Sequence, residues 1–402
     1  MLTNLFRYRD KALMIIAGFL AIVSIGKGYR NALMPGQSQD LLLVYNWTKI
    51  WLWNGVNPYD ASYANYLPHG LLILSPLTLF SEEWISPIWG VLNLIIAPLI
   101  GYLAFRMICP QEPIRKAITF TLMVCTWAGI RVGIGNGQFS LWAFGLGLLA
   151  VAISDKKPYL SGILLALSLT KPHIGCAFVL WALFVCKFKI LIISVCIMIA
   201  GWSLFSLRVL QTPLEVAHSF FVVLEDQFFV SDFFRGNFEL RPLIYVFLSD
   251  SISAGIVHNI IVVSSLIVIG TIIIRERDKQ KLNKSFFILN LCCVWCLMSF
   301  FHNVYDIVLM IPFMADLYGT MISPNRSVIL GSLPRAVFWG FQFSFVAHLP
   351  GIVWKLTQQT HQIVNLSMIH PLLHFDRLFP LLALAYLLYL FWGRNHIFLK
   401  HV

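Results

Sequence analysis

Charge is scarce in this sequence. Only 12% of its 402 residues are Asp, Glu, Lys or Arg, while 58% are hydrophobic. Soluble domains carry about 25% charged residues because their surface must face water, so a water-soluble globular protein is excluded. No internal repeat, low-complexity tract or polar stretch of domain length interrupts the chain. The eight cysteines (109, 125, 176, 186, 196, 292, 293 and 296) all lie in or beside apolar runs and none falls in a long polar loop. That argues against a disulfide framework. Cys293 and Cys296 form a C-x-x-C, but on a greasy helix they read as small packing residues. The acids between Glu215 and Glu239 match no metal-ligand spacing, and no metal or other cofactor is expected.

Basic residues outnumber acidic ones, 29 to 18, for a net charge of +11. They form no single patch of the kind that binds nucleic acid. Instead they fall in short clusters between apolar runs: Arg7/Arg9/Lys11, Arg106/Arg115/Lys116, Lys156/Lys157, Lys187/Lys189, residues 275–284, and Arg394/Lys400. Cytoplasmic loops look like this under the positive-inside rule. Apolar runs near the ~20-residue membrane-spanning length recur along the chain. With a mean hydropathy of +0.78, they predict an all-α, polytopic membrane protein forming one integral domain over residues 1–402.

The positive-inside rule places both termini in the cytoplasm. Residues 12–26 read as an uncleaved signal anchor, since Lys27-Gly28-Tyr29-Arg30 follows in place of a small-x-small cleavage site. Residues 27–65 then form a first external loop, with further external loops at 208–241 and 347–376. Within the first loop, residues 41–53 carry four aromatics among a few polar residues, which suits an amphipathic helix at the membrane interface, ended by Asn54-Gly55. Residues 66–80 are apolar but short and proline-interrupted, and read as a half-helix or re-entrant piece lining a cavity, with a full span or a surface helix as the alternatives. The layout gives about 11 to 13 membrane helices.

Ionisable residues at membrane depth are costly and therefore mark function. Asp40 stands out as an isolated carboxylate opening the aromatic segment. In chain order after it come Gly55-Val56-Asn57-Pro58-Tyr59-Asp60, then Tyr66-Leu67-Pro68-His69, then Arg131 and Gly135-Asn136-Gly137-Gln138. Lys171-Pro172 and His302-Asn303-Val304-Tyr305-Asp306 complete the series. Simpler roles fit the same residues: Asp40 as the N-cap of a helix starting at Leu41, Lys171 as a snorkelling end residue, Asn136 and Gln138 as turn residues, Asp306 as a cap.

This ordered series resembles the polyprenyl-phosphate-sugar-dependent glycosyltransferases of the GT-C fold, specifically family 87. His69 departs from the pattern, standing where a second proline is usual. The resemblance implies a membrane enzyme, in a bacterial inner membrane, that transfers a hexose (mannose being the commonest) from a polyprenyl-phosphate sugar to a lipid or glycan acceptor on the outer face. Transfer would invert the anomeric centre with Asp40 as general base. Lys171, Arg131, His302 and Arg241 would bind the donor phosphate, and Asn57, Tyr59, Tyr66, His69, Asn136, Gln138, Tyr305 and Asp306 would line the substrate site. A transporter or flippase for lipid-linked saccharides, or an oligosaccharide polymerase or ligase, is the alternative.

Overall fold

A computed structural model describes residues 2–62, 64–230, 240–241, 244, 248, 251–275, 284–300, 303–322, 332–347 and 380–388. The described residues are helical throughout, without strands. The first half of the chain folds as α1 (Leu2–Ala32), α2 (Gln39–Asn54), α3 (Pro58–Ser62) and α4 (Pro68–Leu74), which runs into a 3-10 turn (Ser75–Leu79). Next come α5 (Glu82–Ile108), α6 (Ile114–Cys125), α7 (Ala128–Gly135), α8 (Ser140–Ile153), α9 (Pro158–Ser168) and α10 (Pro172–Phe184). Then follow α11 (Phe188–Val209), α12 (Pro213–Val230), α13 (Ser251–Arg275), α14 (Lys284–Ser299), a 3-10 segment (Val304–Met310) leading into α15 (Ile311–Ile322), and α16 (Leu333–Ala347).

Five stretches among the described residues are long and apolar enough to cross a membrane: Asp10–Ala32, Glu82–Ile108, Phe188–Val209, Ser253–Ile274 and Val304–Ile322. The α6–α7 pair, bent by 62°, would make a sixth. The larger sequence count treated residues 139–153, 159–170 and 173–186 as spans. They fold as α8, α9 and α10, of 14, 11 and 13 residues. At 1.5 Å per residue these rise only about 16–21 Å, against a hydrocarbon core of about 30 Å. Part of their apolar surface packs inside the protein, where α8 meets α5 and α9, α9 meets α11, and α10 meets α14, while Leu149, Tyr159, Leu160, Ile163 and Leu183 stay exposed. Residues 66–80 are likewise a short broken helix, with Pro68 opening α4 and Pro76 opening the 3-10 turn. The loop expected to be external at 347–376 lies almost wholly outside the described residues, as do 231–239 of the one expected at 208–241.

The amphipathic segment expected at 41–53 is α2, but it does not lie loose on a surface. Leu41, Val44, Tyr45, Trp47 and Trp51 are buried. They pack in a second apolar cluster with Tyr59, Tyr66, Trp89, Phe139, Phe205 and Phe220. Trp51 stacks on Phe205 at 5.2 Å, and Arg208 donates to the carbonyls of Leu52 and Trp53 at the end of α2. The first loop is thereby fixed against α11.

Contacts at the two ends of α1 set the orientation of the bundle. Near its start, Asp10 pairs with Lys116 at 2.5 Å. Near its end, Gly28 and Asn31 meet α7 at Arg131 and Gly135. These points are about 30 Å apart along the helix. Asp155 and Lys187 form a second pair, joining the ends of α8 and α10.

Candidate active site

The site is assembled from local rules that place four segments together. α7 ends in a Schellman motif: Gly137 is left-handed (φ +67°), its N–H donates to the Ile134 carbonyl, and the Gln138 N–H donates to Gly133 at 2.8 Å. Gly137 is needed twice over. A Cβ there would sit 2.5 Å from the Leu41 Cβ, so its bare backbone lets the first turn of α2 settle against Gln138. On the same helix, a Cβ at Gly129 would run into the Val304 carbonyl, and this contact admits the 3-10 segment carrying Tyr305 and Asp306. Lys171 precedes Pro172, and the proline ring forces it into extended backbone (φ −116°, ψ 91°). There it holds the cap position of α10.

The result is a buried polar chain. Gln138 donates its amide N–H to the Asp40 carboxylate. Lys171 donates to Gln138 Oε1 at 2.7 Å, to Ser140 Oγ at 2.5 Å and to Asp306 Oδ1 at 3.1 Å, so its three ammonium protons all find acceptors within the protein. Its Nζ also lies 4.4 Å from the centre of the Tyr305 ring. Asp306 accepts from Ser140 Oγ at 2.6 Å and from the Asn303 N–H at 3.1 Å, and His173 Nε2 is 3.3 Å from its other oxygen. Asn303 Nδ2 donates to the Tyr305 hydroxyl at 2.7 Å. Lys171 is 5% exposed and Asp306 1%. At that depth an ion pair persists only when its remaining hydrogen bonds are filled, and here they are.

Burial pushes the Asp40 carboxyl up from its ordinary value, against the hydrogen bond from Gln138, the charge of Lys171 and a hydrogen bond from Asn136. Lys171 is pushed down by burial, opposed chiefly by Asp306. Burial raises the Tyr66 phenol well above its ordinary value, and the nearby Asp40 and Asp306 charges add to this, so Tyr66 stays neutral.

The simpler roles now separate. α2 begins at Gln39 with left-handed Ser38 as its N-cap. Ser38 Oγ donates to the carbonyls of Ala32 and Gly135. Asp40 is therefore inside the helix, and its carboxylate turns to Gln138. Asn136 does cap α7, and Asp306 does close a capping box with Asn303, yet both also reach into the polar chain. Lys171 points inward and does not snorkel.

Other expected site residues sit elsewhere. Asn57 donates to Asp60 and Gln211 at 3.0 and 2.7 Å. Tyr59 donates to the Tyr66 carbonyl at 2.6 Å and packs on Phe205 and Phe220. Both fasten the first loop to the α11–α12 corner. His69 is 1% exposed, with Nε2 3.1 Å from the Ala166 carbonyl. Arg131 is half-buried on α7, where its carbonyl faces Gly28. Arg241 lies against Gly255 of α13, within electrostatic reach of His258. His302 falls outside the described residues. Conversely, Ser140, His173 and Asn303 join the polar chain although the sequence singled none of them out as a contact. A lone serine opening an apolar run and a histidine after Lys-Pro gave no periodic or motif signal.

A half-buried carboxylate aimed by an amide, beside a compensated ammonium, is equipped to accept a proton. The profile of glycosyltransferase family 87 matches residues 64–299, more than half of the chain. The chain belongs to glycosyltransferase family 87. It is thus a membrane glycosyltransferase that brings together a sugar donor and an acceptor. The matched span of this family-87 chain includes Tyr66, Asn136, Gln138 and Lys171, while Asp40 precedes it and Asp306 follows it. No curated protein and no solved structure matches the chain.

Proposed function

We propose that the chain transfers a hexose, mannose first among the candidates, from a polyprenyl-phosphate sugar to a lipid or glycan hydroxyl, with Asp40 as the general base and a GT-C-type mechanism. The observation that carries this reading is the Asp40 carboxylate itself. It lies in the first turn of a helix it does not cap, held by Gln138 at the end of a buried charged chain. In the reaction the acceptor hydroxyl gives its proton to Asp40, and its oxygen attacks the anomeric carbon. The bond from that carbon to the phosphate oxygen breaks, and polyprenyl phosphate leaves with the electron pair. One direct displacement inverts the anomeric centre. A base within hydrogen-bond reach contributes roughly 10²–10⁴-fold.

The Lys171 charge is matched by Asp306 at 3.1 Å, which leaves His302, Arg131 and Arg241 as the candidates for meeting the charge of the departing phosphate. Tyr66, Tyr305 and Asn136 border the base and would meet the sugar or the acceptor. The site end of α1 lies opposite the Asp10–Lys116 end. With the basic clusters read as cytoplasmic, the position of the site supports a reaction on the outer side of a bacterial inner membrane.

The test uses the purified full chain with radiolabelled polyprenyl-phosphate mannose or glucose and candidate lipid and glycan acceptors. Transfer by the wild type that is lost in Asp40→Asn supports the reading. Wild-type transfer in Asp40→Asn sinks the base assignment. No transfer from either donor moves the reading to a carrier for lipid-linked saccharides.

A further inference from the structure

We propose that Gln138, Lys171 and Asp306 are positioning residues, a fixed relay that aims the Asp40 carboxylate and holds it ionised; this deepens the reading of Asp40 as the base and rests on it. The argument begins with Gln138. Its amide has one donor end and one acceptor end. Lys171 carries only donors, so it can be met only by Oε1, at 2.7 Å. The NH₂ end is then forced toward Asp40. Flipping the amide would set NH₂ against the ammonium and oxygen against the carboxylate, two repulsions in place of two bonds.

Lys171 is in turn immobilised by Ser140 at 2.5 Å and Asp306 at 3.1 Å. Asp306 is anchored by the Asn303 N–H and the Ser140 hydroxyl. Orientation thus passes from the start of the 3-10 segment to the base through Asp306, Lys171 and Gln138. The relay is also selective for charge. Gln138 Nε2 can only donate, so it bonds ionised Asp40 and offers nothing to the proton of the neutral acid. The groups facing Asp40 from the packed elements are Asn136 and Gln138, Lys171, Tyr66, and Asp306 of the 3-10 segment. Tyr305 lies under Lys171 and His173 beside Asp306. With its three protons occupied, Lys171 belongs to this relay and is not a direct ligand of the donor phosphate.

The experiment needs no knowledge of the acceptor. The full chain in lipid nanodiscs is treated with dicyclohexylcarbodiimide, which modifies protonated carboxyls. Labelling of the Asp40 peptide is followed by mass spectrometry across pH, with Asp40→Asn as the blank. Gln138→Leu should move the labelling midpoint upward by about one to two pH units, the size of a lost charged hydrogen bond. Lys171→Met should move it upward as well. Binding of undecaprenyl phosphate, the probe for the phosphate site, should stay within about threefold of wild type in both variants, well under the tenfold that 1.4 kcal/mol represents. An unchanged midpoint in Gln138→Leu overturns the relay. So does Lys171→Met if it loses lipid-phosphate affinity while keeping the wild-type midpoint. Should Lys171→Met fail to fold, Gln138→Leu decides alone, since it removes no charge. A shifted midpoint together with full transfer by Asp40→Asn would instead reject the base assignment and leave the relay standing.

Discussion

Gly137→Ala isolates the contact that brings Asp40 to Gln138. A Cβ at this position meets two obstacles. The left-handed backbone, φ +67°, costs a non-glycine residue about 1–2 kcal/mol. The Leu41 Cβ at 2.5 Å must also move, and overpacking of this kind costs about 1–3 kcal/mol. The expected loss is about 2–5 kcal/mol in total. Gly36 supplies the control, because it has φ +74° with nothing within 4 Å of a built Cβ. Gly36→Ala should lose only the backbone contribution of about 1–2 kcal/mol, and the unfolded-chain effect of Gly→Ala cancels between the two. Unfolding free energies from denaturant titration in mixed micelles give the difference, and transfer activity gives its consequence. Gly137→Ala should be the less stable by about 1–3 kcal/mol and should lose most transfer, because displaced α2 carries Asp40 off Gln138. Equal losses in the two variants, within about 0.5 kcal/mol, or full activity in Gly137→Ala, would refute the reasoning.

The other expectations concern the charges and the loop. Asp40→Asn should reduce transfer by about 10²–10⁴-fold while leaving the unfolding midpoint near wild type. Because burial raises the Asp40 carboxyl and a base works deprotonated, activity should persist above that raised value and fall as the pH drops through it. A pH–rate profile with its acid limb at or below 3.8, the ordinary value, would contradict this. Lys171→Met strands Asp306 as an uncompensated buried charge and should cost about 3–5 kcal/mol; adding Asp306→Asn should restore much of it in the same titration. Asn57→Ala removes bonds to Asp60 and Gln211 and should lower stability by about 1–3 kcal/mol with kcat little changed, measured by unfolding and steady-state transfer.

Much was legible from local chemistry. Scarce charge and recurring apolar runs imply helices in a membrane, because an unpaired backbone cannot lie in lipid. Asn54-Gly55 ends α2, with left-handed Gly55. Lys171-Pro172 and Gly137 are local rules that three or four residues state by themselves. Asp40, as an isolated carboxylate opening an aromatic segment, was visible as a candidate on the same terms. Tertiary structure alone decided which candidates meet. Asp40, Gln138, Lys171 and Asp306 come from four distant segments, and their hydrogen bonds span 33 to 135 positions. Hydropathy could not show which faces of α8, α9 and α10 pack on neighbouring helices either, since a face buried by a neighbour and one turned to lipid are equally apolar. The same limit sorted the polar residues. Asn57, Tyr59 and His69 were drawn into scaffold contacts and Ser140 and His173 into the charged chain, because a side chain's partners are set by packing geometry, which no single position encodes.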